Sequence, residues 1–184
     1  MARGMQTDCQ IAATAKHFVA YSNNKGGREG MSRVDPQIAP REVENIHVYP
    51  FAEVIGRAGL LGVMCSYNDY DGIPIEGSRY WLTQRLRKEM GFRGYVVSDS
   101  GSVEYLHTKH RTAPDMKEAV RQSFEAGLNV RCTFSAPETY VTPLRELLRE
   151  GAVSRETLDD RVRDVLRLKF TLALFERPYQ THLE

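Results

Sequence analysis

Asp99 stands after the apolar run Tyr95-Val96-Val97 and before Ser100-Gly101-Ser102. A carboxylate presented at the end of a buried strand, with a small, flexible segment behind it, leaves room for a ligand and suits a nucleophile. Asp is equally a favoured helix cap, and spacing alone leaves both roles open. Lys16-His17 and Tyr67 also follow apolar runs. An ammonium, an imidazole and a phenol can each direct hydrogen bonds at a ligand rich in hydroxyls. Neighbouring residues face opposite sides of a straight strand, so Lys16 and His17 meet one ligand only if the strand bends. Arg131 follows a further run and reads as a partner for an acid more than as a ligand contact. Arg28 and Glu29, in a Gly-rich loop, read as a solvated pair. Cys9, Cys65 and Cys132 are odd in number, far apart and without metal-ligand spacing. They read as structural thiols, with no disulfide framework, no metal and no cofactor expected.

The elements that must position these groups alternate. Four short apolar runs, Ile11 to Phe18, Gly62 to Ser66, Gly94 to Ser98 and Leu128 to Cys132, have the composition of buried parallel strands. Between them, Arg41 to Ala58, Arg79 to Met90 and Met116 to Ala126 carry apolar residues at helical spacing. Pro40 suits a helix start, while Gly59, Gly91 and Gly127 suit helix ends. Tyr140 to Arg149 and a long helix from Ser154 to Phe175 follow, the latter capped by Ser154. Alternation of this kind predicts an α/β fold of βα units with right-handed crossovers. About four such units plus a C-terminal helix make a partial (β/α)8 TIM-type barrel, since a complete one needs about 250 residues. The expected organisation is one partial barrel domain over residues 1–184, with the missing part placed before it. Functional groups of such barrels gather where strands end, which is where Lys16, His17, Tyr67 and Asp99 fall.

Composition narrows the partners. The 184 residues carry 25 Lys and Arg against 24 Asp and Glu, a net charge of +1, which gives no electrostatic footprint for nucleic acid or an anionic membrane. No apolar run approaches the roughly 20 residues of a membrane span, and the first residues lack the pattern of a signal peptide. The compartment is left unassigned, with a periplasmic or secreted parent compatible.

Three stretches carry a resemblance: Ala15-Lys16-His17-Phe18-Val19-Ala20-Tyr21, Gly62-Val63-Met64-Cys65-Ser66-Tyr67-Asn68 with Gly72-Ile73-Pro74, and Gly91-Phe92-Arg93-Gly94-Tyr95-Val96-Val97-Ser98-Asp99. In order and spacing this set resembles glycoside hydrolase family 3, and the likeness extends through Arg41-Glu42 and Pro50-Phe51 to Leu174-Phe175-Glu176. It implies the C-terminal part of the family's catalytic barrel. It implies a carbohydrate substrate and retaining hydrolysis of a terminal β-D-glycoside, with Asp99 as nucleophile, Lys16 and His17 holding sugar hydroxyls, and Tyr67 beside the nucleophile. The loop Val19 to Asn24 has no His, which points to the β-glucosidase or β-xylosidase branch, where the acid/base comes from a second domain after the barrel. That domain and the N-terminal barrel half are then required partners absent from these residues, and the chain alone is expected to be inactive. Within it, Glu29 and Glu104 are the acids that would have to substitute. The alternatives are a sugar-binding fragment without turnover and a phosphorylase-like relative. Two departures stand out: Ser100 where most relatives carry Trp, and Gly127-Leu128-Asn129 where Gly-Leu-Asp is common.

Overall fold

The computed structural model describes residues 1–9, 11–23 and 35–179. Its centre is a parallel sheet in the order β1 (Thr14–Phe18), β2 (Gly62–Cys65), β5 (Tyr95–Val97). Thr14 pairs with Gly62, and Gly62 with Tyr95. Gly62 is required in that row: a Cβ there would lie 2.7 Å from both Thr14 Oγ1 and the Tyr95 ring, which meet across it in a 2.7 Å hydrogen bond. The β1–β2 register slips between Ala15 and Phe18, opposite Val63 and Cys65. The irregularity falls on Lys16 and His17. A bulge of this kind re-aims side chains, so simple alternation does not govern that pair. The Lys16–His17 and Phe18–Val19 peptide bonds are cis.

The fourth predicted strand, Leu128 to Cys132, is present only as a single parallel bridge between Val97 and Val130. Its ladder is cut short because the backbone beyond Val130 is engaged locally: Cys132 N–H donates to Ser98 Oγ at 2.8 Å, and Gly101 N–H donates to the Cys132 carbonyl at 3.0 Å.

The helix expected over Arg41 to Ala58 is three segments, α2 (Pro40–Glu42), a π-helix (Val43–Val48) and α3 (Tyr49–Ala58). Pro50 supplies the reason. Its ring would collide with the carbonyl four residues back in a regular α-helix, and the wider π turn before it relieves that clash. A π-helix (Tyr80–Glu89) follows β2 and buries Trp81, Leu82 and Leu86. The helix α5 (Met116–Ala126) matches the sequence reading, opened by Asp115, whose side chain accepts from Glu118 N–H, and closed by Gly127 at φ 136°. After α6 (Glu138–Arg149) comes α7 (Arg155–Thr171), capped by Ser154 but ending four residues before the expected Phe175. There Ala173 takes a left-handed conformation and Leu174 N–H closes back on the Lys169 carbonyl, a terminating motif that usually carries Gly.

Elements not anticipated include α1 (Ala2–Met5), the hairpin β3 (Asp69–Tyr70) to β4 (Ile73–Pro74), turned by Asp71-Gly72 with both φ positive, and α4 (Ser102–Thr108). The core lies between sheet and helices, with Phe18, Val63, Val96, Leu82, Leu86, Val103, Leu106 and Leu128 fully buried. Among the described residues no helix is long and apolar enough to cross a membrane. Strands alternating with helices around a parallel sheet make this a partial barrel of α/β class.

Candidate active site

The three strand ends converge. Ser66 N–H donates to the Phe18 carbonyl at 2.8 Å and Ser66 Oγ to the Val19 carbonyl at 3.0 Å, tying the end of β2 to the end of β1. Ser98 N–H donates to the Val130 carbonyl at 2.9 Å, fixing the end of β5 on its other side. From this rim the structure brings His17, Tyr67 and Asp99 together. His17 Nε2 lies 3.1 Å from Asp99 Oδ2, with side-chain exposures of 19% and 14%. Ser100 N–H donates to the other oxygen, Oδ1, at 2.7 Å. Both carboxylate oxygens are therefore occupied in distinct directions.

Burial pushes the Asp99 carboxyl up; hydrogen bonds from His17 and the Ser100 N–H, the His17 charge and the Tyr67 hydroxyl outweigh it and hold it below its ordinary value. Asp99 is thus kept ionised at neutral pH. Tyr67 shows the converse: burial first, then the Asp99 charge, pushes its phenol well above the ordinary range, so it stays protonated and donates. Its hydroxyl reaches the Ser100 carbonyl at 2.8 Å. The rings of His17, Tyr21, Tyr67 and Tyr105 follow one another at centroid separations of 4.7, 5.7 and 5.5 Å. This aromatic row flanks the carboxylate where Ser100 offers no ring of its own. Lys16 stands beside His17 on the bulge of β1 and is exposed.

Arg131 is turned away from solvent, 5% exposed, with Nη2 2.5 Å from Glu104 Oε1 and its guanidinium over the Tyr140 ring at 5.6 Å. Thr133 Oγ1 donates to the same Glu104 oxygen at 2.7 Å. Burial raises the Glu104 carboxyl, but Arg131 and Thr133 outweigh it and hold it low, which suits an ion-pair partner and not a proton donor. Arg28 and Glu29 lie outside the described residues.

Asn129 accepts at Oδ1 from Arg87 Nη2 at 2.6 Å and Val96 N–H at 2.8 Å, and donates from Nδ2 to the Arg161 carbonyl at 2.9 Å and Asp164 Oδ2 at 3.2 Å. The acid facing Arg87 is Asp164 on α7, at 2.9 Å. An amide, able to donate and accept at once, fits here. Cys65 is buried, Cys132 half-buried and Cys9 exposed, so burial does not account for all three thiols. Among the described residues no group of three His, Cys, Asp or Glu side chains is placed to hold a metal ion.

Sequence reasoning missed Glu76. It follows Ile73-Pro74-Ile75 in a short 3-10 turn (Ile75–Gly77), is 2% exposed, and accepts from Ser102 Oγ at 2.8 Å. A lone Glu in a turn carries no sequence signal for burial, because Glu is ordinarily exposed.

Known proteins resemble this chain over nearly its whole length. The profile of the glycosyl hydrolase family 3 N-terminal domain matches residues 1–168. A putative β-xylosidase of Formosa agariphila is 34% identical over 176 residues, 96% of this chain and 22% of that protein. A periplasmic β-glucosidase of Salmonella typhimurium is 35% identical over 173 residues, 94% of this chain and 21% of that protein. The chain thus spans about a fifth of the length of these curated relatives. Among solved structures, a Listeria innocua β-glucosidase in complex with laminaribiose superposes with a TM-score of 0.89 at 32% identity, over 100% of this chain and 25% of that one. An Erythrobacter marinus β-glucosidase gives 0.87 at 30% identity, over 96% and 24%. With the family profile spanning nearly all of the sequence and the barrel rim in place, this chain belongs to glycoside hydrolase family 3, within that family's N-terminal domain.

Proposed function

We propose that Asp99 is the nucleophile of a retaining β-glycosidase acting on terminal β-glucosides or β-xylosides. The observation that carries the reading is the Asp99 carboxylate at the end of β5, held ionised by His17 and the Ser100 N–H. The substrate class rests on the β-glucosidases and β-xylosidases among the relatives.

In the first step an Asp99 oxygen attacks the anomeric carbon, the bond from that carbon to the leaving oxygen breaks, and the leaving oxygen takes a proton from a general acid. In the second step water attacks the same carbon and gives up a proton, the bond to Asp99 breaks, and the sugar is released with its configuration retained. Lys16 and His17 hold hydroxyls of the cleaved ring. His17 holds Asp99 before a sugar arrives and shares its N–H with a hydroxyl afterwards. Tyr67 stays protonated beside the nucleophile and steadies its charge. Among the described residues Glu104 is bound by Arg131 and Thr133 and Glu76 is buried, so neither suits the general acid. The family resemblance assigns that acid to polypeptide outside residues 1–184, with Glu29 the acid in this chain that would otherwise have to serve.

Azide rescue tests the reading. Asp99→Ala removes the nucleophile, and 2,4-dinitrophenyl β-glucoside or β-xyloside carries a leaving group that needs no protonation. Azide entering the vacated space should restore turnover and give the glycosyl azide of inverted configuration. Unchanged hydrolysis by Asp99→Ala without azide would remove Asp99 from the role.

A further inference from the structure

Behind Asp99 the fold buries a carboxyl that the chemistry above does not use. Glu76 Oε2 accepts from Ser102 Oγ at 2.8 Å, while its Oε1, shut away from solvent, has no hydrogen-bond partner among the described residues. Ser102 is the first residue of α4, and its N–H donates to the Asp99 carbonyl at 3.1 Å. One residue, by its hydroxyl on one side and its main chain on the other, therefore links Glu76 to the backbone of Asp99 itself.

The turn between β5 and α4 is fastened residue by residue. Ser98 Oγ faces the Cys132 backbone, Ser100 O accepts from Tyr67, Gly101 N–H donates to the Cys132 carbonyl, and Ser102 N–H donates to Asp99. The bonds to Cys132 and Tyr67 come from neutral groups. Apart from Asp99 itself, which accepts from Ser100 N–H, Glu76 is the one carboxyl side chain that fastens this turn among the described residues, and it grips the turn at the start of α4.

Resting on the reading of Asp99 as nucleophile, we infer that Glu76 is a positioning residue for Asp99, holding through Ser102 the turn that aims the carboxylate. The groups facing Glu76 are Cys65 from the end of β2, Asp99 from the turn itself, Ser102 and Glu104 from α4, and Tyr140 from α6. Glu104 is already bound to Arg131. No cation is paired with Glu76 among the described residues, and burial pushes its carboxyl up to about 7. Below that pH it is a neutral acceptor for Ser102, so it fixes the turn without placing a second negative charge behind Asp99. The free Oε1 can carry the proton.

The test follows the Asp99 carboxyl carbon and the His17 ring by NMR across a pH titration of the full chain, with Glu76→Gln, Glu76→Leu and Ser102→Ala beside the wild type. Glu76→Leu and Ser102→Ala release the turn and should raise the Asp99 titration midpoint by about 1 pH unit, the size of one weakened charge-assisted hydrogen bond. Glu76→Gln keeps an acceptor for Ser102 and should titrate at Asp99 as the wild type does. A purely structural Glu76 would lower the melting temperature in all variants and leave the Asp99 midpoint where it is; that outcome overturns the inference, as does a Gln variant displaced as far as the Leu variant. If Glu76→Leu fails to fold, Ser102→Ala, a one-atom deletion, decides the matter. An unmoved Asp99 titration beside normal azide rescue removes Glu76 alone. Failed rescue beside a displaced titration removes the nucleophile reading and leaves the positioning contact standing.

Discussion

Glu76 carries its own consequence for stability. Its carboxyl rises from 4.5 to about 7, chiefly through burial. Each pH unit of that rise corresponds to about 1.4 kcal/mol, so the folded chain binds the Glu76 proton about 3 kcal/mol more tightly than the unfolded chain does. A raised carboxyl contributes its full stability below the unfolded value, and that contribution drains away as pH climbs toward the folded value. Wild-type stability should therefore carry a component that falls by about 3 kcal/mol between pH ~4.5 and pH ~7 and is flat above. Glu76→Gln abolishes the titration. The new amide places a donor where Oε1 has no partner, a penalty of about 1–3 kcal/mol that does not vary with pH. Urea unfolding of both proteins at intervals from pH 4.5 to 8 gives a difference curve in which all other titrating groups cancel. The variant should lose ground at low pH and recover it by pH 7 to 8. Parallel curves with a constant offset would refute the account of a buried, unpaired carboxyl.

Further outcomes are expected elsewhere. Asn129→Asp loses two donors and sets a carboxylate against Asp164 and the Arg161 carbonyl, so the urea midpoint at neutral pH should fall by the equivalent of about 1–3 kcal/mol. His17→Ala should lower kcat/KM at least about tenfold and raise the pH at which Asp99 titrates, since His17 supplies a hydrogen bond and charge that hold Asp99 low. Lys16→Ala should lower kcat/KM by a similar factor without moving the Asp99 titration, and unchanged kinetics in both variants would make the pair structural. Residues 1–184 alone should cleave substrates with poor leaving groups about 10²–10⁴-fold less well than a protein that also contains the general acid; robust turnover depending on Asp99 would place that acid within the chain.

The parts of this fold that read directly from sequence are those fixed by local chemistry. The helix α5 is bracketed by an Asp cap and a terminal Gly, and its bounds were predicted as observed. The strands β2 and β5 sit inside the apolar runs Gly62 to Ser66 and Gly94 to Ser98. The strand expected at Leu128 was overestimated because its pairing ends where the Ser98 side chain captures the Cys132 backbone, a contact between residues 34 apart in sequence. The hairpin at Asp71-Gly72 did have a signal, since both residues suit a tight turn, but strands of two residues each are too short to show alternation. At the site, Asp99, Lys16, His17 and Tyr67 were legible as polar residues at strand ends, and their roles came from family resemblance. Arg131 is legible as a partner for an acid, but neither Glu104 as that acid nor the buried carboxyl of Glu76 is, because burial of a charge depends on what folds over it and leaves no periodicity behind.

The central claim, that Asp99 attacks the anomeric carbon, is tested most directly by trapping. A 2-deoxy-2-fluoro-glycoside with a dinitrophenolate leaving group forms the glycosyl-enzyme without needing the general acid, and the fluorine slows its breakdown. Peptide mapping by mass spectrometry should then find one fluorosugar on Asp99, absent from Asp99→Asn. A fluorosugar found on any other residue, with Asp99 unmodified, would contradict the account.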